Sequence, residues 1–187
     1  QSRRRRVHFA VRSAAMARLL ADAGVPGRRI ALVPPVVGPD EHPDARSAAP
    51  ARRAEVRRSL GLPDAAGPVL LSAGWCRRRE GQKQAFWAAA ICSMLSPDLR
   101  IVVPGDGPQR DMLIDWMARA GFARMTIFPG RQFDWPDLLA AADVLVFADG
   151  HDERGPVEPD IAPAAWAMLL GVPVVAVRSG GIEELIR

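Results

Sequence analysis

The residues best suited to handling a ligand fall in five short stretches. Ser72-Ala73-Gly74-Trp75-Cys76-Arg77-Arg78-Arg79-Glu80-Gly81 follows an apolar run and carries three consecutive arginines. Their long stems and bidentate forks suit phosphate oxygens; the competing reading is a solvated basic loop. In Val103-Pro104-Gly105-Asp106-Gly107-Pro108, the glycines allow a tight turn and close backbone approach, and Pro108 suits a first helical position. Taken alone, that is a structural turn. Phe128-Pro129-Gly130-Arg131 ends on a guanidinium that either stacks on a base or faces water. Glu158 precedes Pro159-Asp160-Ile161 and, eight positions on, Trp166. An ionised carboxylate is purely an acceptor, suited to two adjacent hydroxyl donors, whereas an indole only donates. Pro159 supplies no backbone N–H, and Asp160 is placed to cap the helix that follows. Finally, Gly180-Gly181 opens a helix whose first N–H groups favour an anion. His151 reads as a solvated loop residue, His8 and His42 are weaker candidates still, and Asp152 with Glu153 has no companions at metal spacing.

The elements around these stretches alternate. Val7 to Val11 and Arg29 to Val33 read as strands. Between them a helix is capped by Ser13, closed at Gly24, and buries one face through Met16, Leu19 and Leu20. Residues 34–51 are rich in Pro, Asp, Ala and Gly and read as a linker. Helices are expected over 52–60, 82–95, 109–120, 134–142 and 162–170, and from 182. Strands are expected over 69–73, 100–103, 125–128, 144–147 and 174–177. Continuous Val/Leu/Ile strands alternating with helices predict a doubly wound parallel sheet, an α/β fold whose ligands bind beyond the carboxyl ends of the strands.

Composition narrows the class. The chain has 187 residues, 49% hydrophobic and 25% charged, as expected of a globular core. No apolar run is long enough to span a bilayer. The formal charge is +4, but the arginines are scattered and no aromatic residues interleave with them, so nucleic-acid binding is not expected. Cys76 and Cys92 lack metal spacing and read as two reduced, partly buried thiols. With no initiator Met and a terminus inside a helical pattern, the chain reads as a fragment.

Order and turn chemistry together resemble the carboxyl-terminal, donor-binding half of a GT-B glycosyltransferase of family 4. The stretch from Glu158 through Ala167-Met168 to Gly171-Val172-Pro173-Val174-Val175 resembles that family's donor signature, with Trp166 at its second acidic position. The turn Gly74 to Gly81 resembles Gly-Arg-Leu-x-x-x-Lys-Gly, with Trp75 and Glu80 where the family carries its two diphosphate-binding cations. Gly180-Gly181-Ile182-Glu183-Glu184-Leu185 matches its Gly-Gly-x-x-Glu-Leu turn, with Glu184 at the acidic position. The resemblance implies an acceptor-side remnant over 1–34, a linker over 35–51 and a nucleotide-sugar-binding domain over 52–187. It implies transfer of a sugar from a nucleotide-diphosphate sugar to a glycan, lipid or small molecule, with retention and without a metal or other cofactor. Its implied donor-binding residues are Glu158, Gly74, Arg77, Arg79, Arg131, Gly180 and Gly181, with the catalytic group outside the chain. A cytoplasmic location and peripheral membrane contact through the missing half complete the expectation. The alternatives are an inactive glycosyltransferase-like scaffold, favoured by Trp75, Glu80, Pro159 and Trp166, and a related epimerase.

Overall fold

The structure, a computed structural model, describes residues 7–38, 50–63, 67–131, 134–148 and 160–186. Glu158, Pro159, His42 and the 151–153 cluster lie outside them. The first two strands, β1 (Phe9–Val11) and β2 (Ile30–Leu32), pair in parallel and flank helix α1 (Ala14–Asp22). Ser13 caps α1 as expected, its hydroxyl accepting from the Met16 N–H at 3.1 Å. The expected buried face of α1 is uncovered within this chain: no residue of the helix is buried, and Leu19 is exposed. Among the described residues only two strands of three residues lie beside it.

The second sheet is built from β3 (Val69–Ser72), β4 (Arg100–Val102), β5 (Thr126–Ile127), β6 (Val144–Phe147) and β7 (Val174–Ala176), all parallel in the order β5-β4-β3-β6-β7. The chain runs outward from β3 to β5, then returns to the other side of β3, so the order reverses between β3 and β6. Helices α3 (Gln82–Ser93) and α4 (Arg110–Arg119) cover one face, where Leu70, Ile101 and Val103 pack with Phe86, Ala89, Leu113 and Met117. Helices α5 (Trp135–Ala141), α6 (Ala162–Leu170) and the single turn α7 (Ile182–Leu185) cover the other, against Val69, Leu71, Val102, Leu145 and Phe147. Val69 and Leu71 face one layer and Leu70 the other, the alternation a pleated strand requires. β3 is buried throughout; β7, at the edge, is not.

Helix α2 (Pro50–Ser59) carries four of the arginines, and three of them, Arg52, Arg53 and Arg57, make structural contacts. Arg52 forms an ion pair with Asp137 through two nitrogens. Arg53 donates to the carbonyls of Ala140 (3.1 Å) and Ala142 (3.0 Å), and Arg57 to that of Ala141 (3.0 Å). These are the orphan carbonyls at the end of α5, where cations are favoured. Asp143 then binds Arg53 at 2.6 Å, Arg57 at 2.9 Å and the Val69 N–H at 2.8 Å, tying α2 to the start of the sheet.

The two thiols differ, which corrects their common expectation. Cys76 is fully buried, whereas Cys92 is exposed on the outer face of α3. Around Cys92 that helix is apolar on every side: Trp87 and Ile91 also face outward, as do Met94 and Leu95 just beyond its end, so apolar neighbours did not signal burial at position 92. No described helix is long and apolar enough to cross a membrane.

Candidate functional site

The β3–α3 turn starts where β3 leaves the core. Gly74 adopts φ +104°, a conformation side chains rarely take, and a Cβ there would meet the Glu80 Oε2 at 2.6 Å. Glu80 has folded back across the turn, and its carboxylate accepts the Trp75 N–H. Burial is the main influence on Glu80 and raises its pKa; the Trp75 N–H and Arg77 act against this, and Asp160 reinforces it. Gln82, almost wholly buried, donates its Nε2 to the Trp75 carbonyl at 2.8 Å. The backbone of residue 75 is thus held on both sides.

The Gly105–Gly107 turn locks onto this one. A Cβ on Gly105 would lie 2.6 Å from the Gly74 carbonyl oxygen, and one on Gly107 2.6 Å from that of Cys76. Cys76 donates its N–H to the Asp106 carbonyl at 3.0 Å and accepts from the Gln109 N–H at 2.9 Å. Both glycines are therefore required for close backbone approach, consistent with a structural turn. Burial pushes the Cys76 thiol up to about 11, with Arg110 pulling the other way.

The side chains of the candidate residues gather around Trp75. Its indole is 46% exposed, and two guanidinium carbons lie over it: Arg77 at 4.8 Å and Arg131 at 5.2 Å from the ring centroid. Arg131 follows the β5 turn, whose Phe128 packs edge-on against Phe86 with centroids 5.9 Å apart. Arg131 is exposed, and its guanidinium lies over the chain's own indole. Arg79 is half-buried. A cleft of about 440 Å³ opens beside the turn, lined by Arg77, Arg78, Gln82, Lys83, Gln84, Gln109 and Leu113.

On the far side of the reversal point, Asp160 accepts from the Ala162 N–H at 3.3 Å and pairs with Arg12 at 2.5 Å. Trp166 is not at the cleft surface; it is 6% exposed and belongs to the core with Leu138, Phe147 and Ile182. Gly180 (φ +44°) and the buried Gly181 lead into α7. Glu184, on that turn, faces the amino-terminal segment and accepts the N–H groups of Ala14 (2.9 Å) and Ala15 (2.7 Å). The structure brings Gly74, Arg77 and Arg131 into one cluster, with Glu80, Trp75 and Asp160 beside it. Gly180 and Gly181 belong to the neighbouring strand end. Sequence reasoning missed Trp75 as the hub and Glu80 as its backbone partner; a carboxylate six positions after a turn glycine was the available signal. No group of three His, Cys, Asp or Glu able to hold a metal occurs among the described residues.

A parallel sheet that reverses at its centre, with glycine turns and guanidinium groups at the strand ends, defines the Rossmann-like half of a GT-B protein. The sequence pattern described as "Glycosyl transferases group 1" matches residues 53–187, and the chain belongs to that family. It is 34% identical over 170 residues to a 2-deoxystreptamine glucosyltransferase of Streptomyces kanamyceticus, covering 90% of this chain and 41% of that protein. To a 2-deoxystreptamine N-acetyl-D-glucosaminyltransferase of Streptomyces fradiae it is 33% identical over 155 residues, 79% of this chain and 34% of the relative. The crystal structure of HepE from Anabaena in complex with UDP and glucose superposes with a TM-score of 0.77 at 23% identity, over 96% of this chain and 46% of that one. That of WaaG, a glycosyltransferase involved in lipopolysaccharide biosynthesis, gives 0.73 at 21% identity, over 95% and 46%. The chain spans less than half the length of the curated relatives it matches.

Proposed function

We propose that the chain is the donor-binding half of a retaining, metal-independent glycosyltransferase that takes a hexose from a uridine-diphosphate sugar. The observation that carries this reading is the meeting of the turns that follow β3 and β5 at Trp75, where Arg77 and Arg131 are drawn together. The relatives named as glucosyl- and N-acetylglucosaminyltransferases support a hexose, and the UDP in the HepE complex supports the nucleotide. In this reading residues 1–34 end the acceptor-side domain, 35–51 link it, and 52–187 bind the donor.

The chemistry required of this half is modest. A departing nucleoside diphosphate develops negative charge, and positive groups already in place stabilise it without reorganising. Arg77, Arg131 and the backbone at Gly180-Gly181 supply that charge, while Glu158 accepts from hydroxyls of the transferred sugar. The acceptor and the remaining catalytic groups come from the other half.

Calorimetric titration of the full-length protein with UDP-glucose tests the reading. Binding is expected, weakened at least tenfold in Glu158→Ala. Absence of binding to UDP-glucose, UDP-N-acetylglucosamine and UDP would overturn it. It would favour the scaffold reading, which draws on the Glu80 carboxylate at a cation position and on Trp166 in the core.

A further inference from the structure

We propose that Trp75 is a positioning residue for the donor diphosphate, its indole gathering Arg77 and Arg131 from two separate turns into one cationic rim. The inference rests on the donor-binding reading above and deepens it. Three observations carry it. Both guanidinium carbons lie within stacking reach of the ring, at 4.8 and 5.2 Å, so the ring bridges the turns after β3 and β5. The ring is 46% exposed, so it is not there to fill the core. Its backbone is fixed by Glu80 at the N–H and by Gln82 at the carbonyl, so the ring stands on a rigid base.

The physical logic follows from what stacking leaves available. A guanidinium over an aromatic face is attracted to the ring's negative quadrupole, and that attraction leaves its N–H donors available to an anion. Such a group meets an incoming phosphate with much of its side-chain freedom already lost. Two of them converging on one ring replace a charge carried by residue 75 itself. The loss of a cation at position 75 and the stacking of two others on it are then one change, not two. Glu80 fits the same arrangement: its carboxylate is turned toward the Trp75 N–H, away from the role a cation would play, and steadies the platform.

The test compares full-length wild-type protein with Trp75→Phe and Trp75→Leu, titrated with UDP and separately with uridine. Phe keeps an aromatic face; Leu keeps apolar bulk without one. Trp75→Leu is expected to weaken UDP binding roughly 3- to 30-fold while leaving uridine unchanged, with Trp75→Phe recovering most of the loss. Arg131→Gln is expected to show the same selective loss, and serves if the Leu variant does not fold. UDP binding by Trp75→Leu at wild-type strength overturns the inference and leaves the donor-binding reading standing. Equal loss of UDP and uridine also overturns it, because the ring then serves the base or the shape of the turn. If the wild type binds neither UDP nor uridine, the donor-binding reading itself falls, and this one with it.

Discussion

The carboxylate of Glu184 accepts the backbone N–H of Ala15 at 2.7 Å, across 169 positions of sequence. Its other oxygen accepts that of Ala14. One side chain from the last helical turn therefore caps the first helix, alongside Ser13 from within α1's own leader. Glu184→Ala is expected to cost about 1–2 kcal/mol, the usual range for losing a cap with dipole complementarity. Hydrogen exchange of the Ala14 and Ala15 amides checks it: they should speed up in the variant, with β3 and β4 amides unaffected.

Glu80 gives a pH dependence of definite sign. Because folding raises its pKa, the native state keeps the proton to higher pH than the unfolded chain, and stability falls as pH rises through that window. The penalty grows as pH rises above the ordinary carboxylate range and vanishes well below it, where both states are protonated. Glu80→Gln can still accept the Trp75 N–H and removes the charge. It is expected to melt about 1–3 °C higher at pH 7 and at the wild-type temperature well below the carboxylate range. A gain at both pH values would show that burial of charge is not the cause.

Asp143 is the knot between α2, the end of α5 and the start of β3, and three donors converge on it. Asp143→Ala removes an anion from the partly buried Arg57. Burial already pulls that guanidinium below its ordinary value, with Arg53 adding to the effect. A loss of about 2–3 kcal/mol is expected in urea unfolding.

The two thiols should separate cleanly by reactivity. Cys92 is exposed, while Cys76 is enclosed and its thiol is pushed up to about 11. Native protein is expected to react with one equivalent of a thiol reagent at pH 8, and denatured protein with two. Replacing Cys92 with Ser should abolish the native reaction.

Gly105→Ala would place a methyl group 2.6 Å from the Gly74 carbonyl oxygen. Neither backbone can yield without moving its turn, so a destabilisation of about 1–3 kcal/mol is expected in thermal or urea melts. Gly24→Ala provides the contrast: nothing lies near its Cβ, and only the φ of +87° opposes the change.

The sheet was legible because its strands are bought with uninterrupted Val, Leu and Ile: Val69-Leu70-Leu71 and Val144-Leu145-Val146 admit burial on both faces and little else. The Ser13 cap was legible for the same reason, being a local hydrogen bond. Contacts that depend on distant segments were not. The α1 face was expected to be buried, but periodicity shows only which side is apolar, never whether this chain covers it. Cys92 failed because α3 is apolar on every side around it. The turn motifs identified Arg77 and Arg131 singly, but their meeting on Trp75 needs the β3 and β5 ends to be neighbours in space. Glu184 was read as part of a strand-end turn, and only the folded chain shows it reaching the first helix.

Gly105 and Gly107 press two loops together with no room for a methyl group between them. Two surfaces that close cannot slide independently, so whatever disturbs one must be felt by the other. A ligand seated against the arginine-bearing loop would therefore stiffen the next helix's entrance as well.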